Sequence, residues 1–309
     1  MEASTKKVKT ILVAIDFSKS SDLAISRAIN LAKVNNAKLT IIHVIQRKTT
    51  DNLLDRGLKK ILPKTLWLST EEHRATLLQE KIDSLISHGL KINSVLITTG
   101  KPATKILQFA NKNKFDLLVM GAHGKHSLRD TFVGTTAEYV AKKTTCPVLI
   151  VKRESKNQFS KILIPTDFSK VSKNALDYAC NLFPKSNFHL LHVGDYDFEN
   201  LLTQGEELEI PENKMIKLRK SILFYLNNQM KIFTKSFRKK LGKYSTDIVL
   251  GYPGPSIVEA AKASNIDVIV MGTQGHGQHH YLFIGSVAQW VLADCDKDIL
   301  LVPPAKSRK

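Results

Sequence analysis

Ile11-Leu12-Val13-Ala14-Ile15-Asp16-Phe17-Ser18-Lys19 recurs as Ile162-Leu163-Ile164-Pro165-Thr166-Asp167-Phe168-Ser169-Lys170. Each copy is a short apolar run that stops on Asp-Phe-Ser-Lys, the pattern of a buried strand entering a turn. The offset of 151 residues extends well beyond it, relating Gly100 to Gly251, Pro102 to Pro253, Asp116 to Asp267, Gly121 to Gly272 and Gly134 to Gly285. His43-Val44 and His192-Val193 are offset by 149, so two small length changes cancel within the unit. Solenoid units run about 20–50 residues, so a repeat of this size is a duplicated domain. The 309 residues divide into 1–153 and 154–309, with the polar stretch Lys152–Ser160 as the seam.

Each half alternates strand and helix. In the first, strands are expected at Thr10–Ile15, Lys38–Ile45, Asn93–Thr98, Phe115–Met120 and Val148–Val151. Helical spacing covers Asp22–Val34, Thr70–His88, a segment from Gly100-Lys101-Pro102 through Asn111, and Thr135–Lys143. Gln46–Leu68 is ambiguous, because Pro63 interrupts any long helix there. The second half repeats the order, with Asn213–Leu241 as one long helical region. Continuous apolar strands separated by helices imply a parallel sheet covered on both faces. The expected fold is α/β: two tandem doubly wound domains, each a five-stranded parallel sheet. Ligands in such sheets bind at the carboxyl ends of the strands, near the switch point.

Lys+Arg number 46 against 28 Asp+Glu, a formal net charge of +18. Residues 1–153 carry +14 and residues 154–309 carry +4. The excess is scattered lysine, so a solvated basic surface is expected and nucleic acid is not the expected partner. The longest apolar runs are strand-sized, far short of the roughly 18–20 residues that span a bilayer. Residues 1–10 show no signal-peptide pattern, and Cys146, Cys180 and Cys295 form no CxxC. Buried reduced thiols and a cytoplasmic location are expected.

The chemistry sits in the loop after the fourth strand. It reads Met120-Gly121-Ala122-His123-Gly124, nine residues, then Gly134-Thr135-Thr136. The second copy reads Met271-Gly272-Thr273-Gln274-Gly275, nine residues, then Gly285-Ser286-Val287. Glycines let backbone amides approach an anion, and the hydroxyl residue opens a helix whose free N–H groups favour phosphate. A capping box, Thr135 with Glu138 and Ser286 with Gln289, would explain the hydroxyls without a ligand. Asp16 and Asp167 end the first strand of each half, placed to bond ribose or to hold a divalent metal on phosphates. Val44 and Val193 lie where backbone groups would meet an adenine edge. His43 and His192 read as packed strand residues.

On these residues the chain resembles a tandem universal stress protein, from Thr10 to Val302. The Gly-x2-Gly-x9-Gly-Ser/Thr spacing resembles the ATP-binding signature of that family's nucleotide-binding branch. The resemblance implies ribose or metal contacts at Asp16 and Asp167, and adenine contacts at Val44 and Val193. It implies phosphate contacts at Gly121, Gly124, Gly134 and Thr135, and at Gly272, Gly275, Gly285 and Ser286. Met120, Thr136, Met271 and Val287 flank these positions and belong to the expected sites. The implied cofactor is ATP or another adenine nucleotide, with Mg2+ reaching Asp16 and Asp167 only through the phosphates. The expected role is a nucleotide-dependent regulator in stress response. The alternatives are a scaffold or apolar-ligand binder with vestigial sites, and a weak metal-dependent ATPase.

The nine-residue spacers differ: Lys125, His126 and Arg129 in the first, His276, His279 and His280 in the second. Those histidines would tighten phosphate binding as pH falls toward about 6.5. Zinc on the same three would lack a nearby cysteine. The last strands, Val148–Val151 and Ile299–Val302, lie at domain edges and could pair, giving an internal pseudo-dimer. A homodimer and an unknown protein partner complete the expected associations.

Overall fold

The computed structural model describes residues 7–45, 76, 92–124, 133–154, 158–194, 211–275 and 284–304. The apolar runs form ten strands: β1 (Thr10–Ile15), β2 (Lys38–Ile45), β3 (Ile92–Thr99), β4 (Leu117–Gly121), β5 (Val148–Val151), β6 (Lys161–Pro165), β7 (Asn187–Gly194), β8 (Tyr244–Leu250), β9 (Val268–Gly272) and β10 (Asp298–Val302). The helices are α1 (Lys19–Asn35), α2 (Pro102–Asn113), α3 (Thr135–Lys143), α4 (Lys170–Leu182), α5 (Glu212–Lys235), α6 (Arg238–Leu241), α7 (Pro253–Ala263) and α8 (Ser286–Asp294). Residues 46–68 lie outside the described residues. So does the stretch 70–88 apart from Thr76, which is helical.

All ten strands share one sheet, in the order β3-β2-β1-β4-β5-β10-β9-β6-β7-β8. Within each half every pairing is parallel, and the order reverses between the first and fourth strands of the half. The halves join through β5 and β10, which pair antiparallel with Leu149 opposite Leu300. The two expected five-stranded sheets are therefore one continuous sheet, and the last strands do pair. The edges that lone domains would leave open at β5 and β10 cover each other, and β3 and β8 are the outer edges of the joint sheet.

Two cores lie on the two faces and both run across the junction. One holds Ala24, Ile25 and Leu31 of α1 with Leu176 of α4 and Phe233 of α5. The other holds Ile106 and Leu107 of α2, Val140 of α3, Ile257 of α7 and Val291 of α8. Polar groups also cross. Arg27 Nε donates to Asp298 Oδ2 at 2.9 Å, with both side chains buried. Asp298 Oδ1 accepts the Lys152 amide at 3.0 Å. Burial pushes the Asp298 carboxyl above its ordinary value, against the pull of Arg27 and the amides. Tyr178, which has in α4 the place of Arg27 in α1, donates to the Asp116 carbonyl at 2.8 Å.

Both cations at the start of the polar seam, Lys152 and Arg153, are engaged. Lys152 Nζ caps the end of α8, donating to the Leu292 and Cys295 carbonyls at 2.6 Å each. Arg153 reaches the Ile266 carbonyl at 2.9 Å and the Asp267 carboxylate at 3.3 Å. Asp267 Oδ2 also accepts from the amides of Ser160 and Lys161, at 2.8 and 2.9 Å, so it fastens the start of β6. Asp116 does the same for β1 through Lys9 and Thr10.

The expected single helix Asn213–Leu241 is interrupted. It breaks at Ser236-Phe237 into α5 and α6, and Phe237 is buried at the break. All three cysteines are buried and free, as expected. Burial pushes the Cys180 thiol up to about 12.

Candidate functional site

Each half builds the same turn where its first strand ends. Asp16 Oδ1 accepts the Ser18 amide at 3.0 Å, and Asp167 Oδ1 accepts that of Ser169 at the same distance. The serine then caps the next helix: Ser18 Oγ accepts from Ser21 N, and Ser169 Oγ from Ser172 N, both at 3.1 Å. Such side-chain bonds to nearby amides stop the strand and start the helix. The intervening phenylalanines are left-handed, with φ of 62° at Phe17 and 64° at Phe168. A non-glycine residue there costs of order 1–3 kcal/mol, and such strain clusters at functional sites.

The histidines of the second strand hold that turn. His43 Nδ1 bonds the Ile15 carbonyl at 2.9 Å, and His192 Nδ1 bonds that of Thr166 at 2.8 Å. A carbonyl can only accept, so each Nδ1 carries the proton. The Phe17 ring lies 4.7 Å from that of His43, and Phe168 stacks 4.3 Å from His192. Burial lowers the His192 pKa, with the Thr166 carbonyl and Asp167 opposing. The two histidines are packed strand residues, with the added task of pinning the residue before each aspartate.

The glycine loop meets the same aspartate. A Cβ on Gly124 would stand 3.1 Å from Asp16 Oδ2, and one on Gly275 would stand 3.0 Å from Asp167 Oδ2. Gly121 faces the Ser20 backbone, whose carbonyl oxygen a Cβ would meet at 2.7 Å. Gly272 faces Val171 Cγ1 at 2.6 Å in the same sense. The loop closes at its base: Gly134 N–H donates to the Ala122 carbonyl, and Gly285 N–H to that of Thr273, both at 2.7 Å. The spacers between, with Lys125, His126, Arg129, His276, His279 and His280, lie outside the described residues.

The capping-box alternative fails here. The N-caps of α3 and α8 are Gly134 and Gly285, with φ,ψ of −64°,149° and −66°,155°, and no side chain caps either helix. Thr135 and Ser286 are the first helical residues, one position too late to cap, and both are exposed. The first amides of each helix thus have no side-chain cap, and a helix start of that kind attracts anions. Thr136 and Val287 are half-buried just behind.

Val44 and Val193 follow the last positions at which the second strand of each half pairs with the first. β1 pairs with β2 only as far as Ile15 opposite His43, whereas β2 and β3 stay paired to Ile45 opposite Thr99. In the second half β6 pairs with β7 up to Pro165 opposite Leu191, and β7 runs on with β8 to Gly194 opposite Leu250. Both valines therefore lie past the end of the first strand. The side chains of Met120 and Met271 are packed in the core. Residue-type reasoning missed Ser18, Ser169, Phe17 and Phe168. The doubled Asp-Phe-Ser was their signal. Ser20 was also missed. Its Oγ accepts the His123 amide at 3.2 Å, a tie that Val171 cannot make in the second half.

The sequence profile described as "Universal stress protein family" matches residues 7–152 and again 158–303. Universal stress protein MJ0531 of Methanocaldococcus jannaschii is 35% identical over 149 residues, which are 48% of this chain and 84% of that protein. Universal stress protein YxiE of Bacillus subtilis is 28% identical over 145 residues, 46% of this chain and 97% of that one. A universal stress protein from Archaeoglobus fulgidus shares the fold over 98% of both chains, with a TM-score of 0.68 at 19% identity. The repeat, the doubly wound order and the double match agree: the chain belongs to the universal stress protein family, as two of its domains in tandem.

Proposed function

We propose that each half binds one adenine nucleotide and that occupancy of these sites regulates association with a partner in stress response. The observation that supports this most is the repeated constellation at the switch point. An uncapped helix start, a glycine pressed against an aspartate and a strained turn recur in both copies. The residues suit such a ligand, since the first amides of α3 and α8 are left without a side-chain cap directly after the glycine loops. Gly121, Gly124, Gly134 and Thr135 hold the phosphates in the first site, and Gly272, Gly275, Gly285 and Ser286 in the second. Asp16 and Asp167 take ribose hydroxyls, or a divalent ion through the phosphates. Backbone groups of Val44 and Val193 take the base. The bound nucleotide supplies charge and rigidity to the crevice, and the protein supplies position.

The test is mass spectrometry of the small molecules released when freshly purified protein is denatured, with stoichiometry. Two adenine nucleotides per chain are expected. None, together with no thermal shift on adding ATP, would overturn the reading in favour of a scaffold.

A further inference from the structure

From Asn213 to Lys243 the chain carries eight lysines and two arginines and no acidic residue. The second half as a whole is only +4, so the rest of it is acidic by six charges. The helical stretch read at 70–88 in the first half holds four acids and two cations, so this run is not a property of the repeat.

The helix that carries these cations is docked along one side only. Met230, Phe233 and Phe237 are buried against the sheet, and Leu241 of α6 follows them. On the side away from the sheet stand Leu218, Tyr225 and Ile232, spaced by seven residues and thus in line on a helix of 3.6 residues per turn. They are 46%, 60% and 65% exposed, and Phe224 beside them is 69% exposed. Lys217 and Lys231 flank Phe224 on the next line, and Lys214 and Lys235 border the stripe at its ends; all four are exposed. Among the cations of the run, Lys240 is engaged, bonding Asp177 at 2.7 Å.

We infer that the outer face of α5 with α6 is a docking surface for an anionic lipid bilayer. Lysines are the right cation here, because their stems lie along apolar surface while the ammonium groups reach headgroup phosphates. Four large apolar side chains among them supply what a bilayer interface takes and a phosphate backbone does not. Nucleic acid would call for an arginine-rich face and a concave track, and two arginines in ten cations on a convex helix provide neither. The helix lies on the surface and does not cross: among the described residues no helix is long and apolar enough for that.

The experiment is co-sedimentation of the full-length protein with vesicles of phosphatidylcholine containing about 30% phosphatidylserine, at about 0.1 M salt, against pure phosphatidylcholine. Binding is expected to the anionic vesicles and to fall steeply with added salt. The Lys214→Glu/Lys217→Glu/Lys231→Glu variant should lose at least about a hundredfold in partition coefficient, at roughly fivefold per lysine lost near the surface. Reversing exposed Lys33, Lys38 and Lys112 in the first half should leave binding within about threefold, because only the +18 total and not this face is changed. A second variant, Phe224→Ser/Ile232→Ser, removes exposed side chains and should weaken vesicle binding by about tenfold or more with an unchanged circular dichroism spectrum. Equal partition into neutral vesicles, or equal losses from the two lysine sets, would overturn the inference. So would retention of RNA that is lost in the lysine variant and kept in Phe224→Ser/Ile232→Ser; that result assigns the face to nucleic acid.

Discussion

Gly275 stands against Asp167, where a side chain larger than one hydrogen atom would press on the carboxylate. The glycine leaves 3.0 Å between a notional Cβ and the carboxylate, tighter than ordinary van der Waals contact. Gly275→Ala should therefore weaken nucleotide binding in the second site by about ten- to a hundredfold, as 1–3 kcal/mol of displacement implies, with a melting temperature within a few degrees of wild type. Calorimetric titration with ATP checks it. Asp267 poses a different question, since it fastens the start of β6 and pairs with Arg153 of the seam. Burial opposes its charge, but the amides of Lys161 and Ser160, the Ser160 hydroxyl and Arg153 prevail and hold the carboxyl below its ordinary value. A carboxylate whose pKa is lowered on folding adds stability above the unfolded pKa, and the contribution fades as pH falls through the folded one. Asp267→Asn should thus destabilise by about 1–3 kcal/mol at pH 7, and the gap to wild type should begin to narrow as pH falls below about 4 in urea melts.

Helices α3 and α8 both start without a side-chain cap. At α3 the first residue is Thr135, preceded by Gly134 in the extended conformation that suits the residue before a proline. Proline is tolerated at the first helical position, so Thr135→Pro removes one amide and one hydroxyl at little cost to the fold. Nucleotide affinity at the first site should drop about tenfold or more, while thermal unfolding shifts by no more than a few degrees. A structural role for Thr135 predicts the reverse. Much of this architecture was legible beforehand, because buried parallel strands are unbroken apolar runs and the copy at 162–170 vouched for that at 11–19. The ends were less legible. The first helix was read from Asp22 but starts at Lys19, since Lys19, Ser20 and Ser21 carry no apolar spacing and Ser18 caps them. The strand read from Phe115 begins at Leu117, because Asp116 turns its carboxylate to the amides of β1. The break at Phe237 was invisible to helical spacing, which cannot see that a side chain must turn inward. The capping box matched by residue type and failed by one position, a distinction only backbone angles make.

The molecule as a whole is held by its junction. Arg27 and Asp298 are nearly inaccessible to solvent, so a charge left alone there has no water to turn to. Arg27→Met should cost about 3–5 kcal/mol, and adding Asp298→Asn should recover most of it, because the neutral amide still accepts from Lys152. Urea denaturation of the three proteins decides this. The antiparallel meeting of β5 and β10 settles something else, namely how two polyanions would share one molecule. It turns the carboxyl ends of the two halves toward opposite poles of the sheet. Four interstrand steps of about 4.8 Å separate the two crevices sideways, and a strand length of roughly 16 Å separates them endwise. That is about three Debye lengths at physiological ionic strength, so a triphosphate at one pole is screened from its counterpart at the other. Filling one crevice should leave the other's dissociation constant unchanged, which a titration of Gly124→Ala, disabled in the first site, measures directly against wild type. If each half takes a nucleotide as proposed, duplication gives this chain two ports that ionic screening keeps independent.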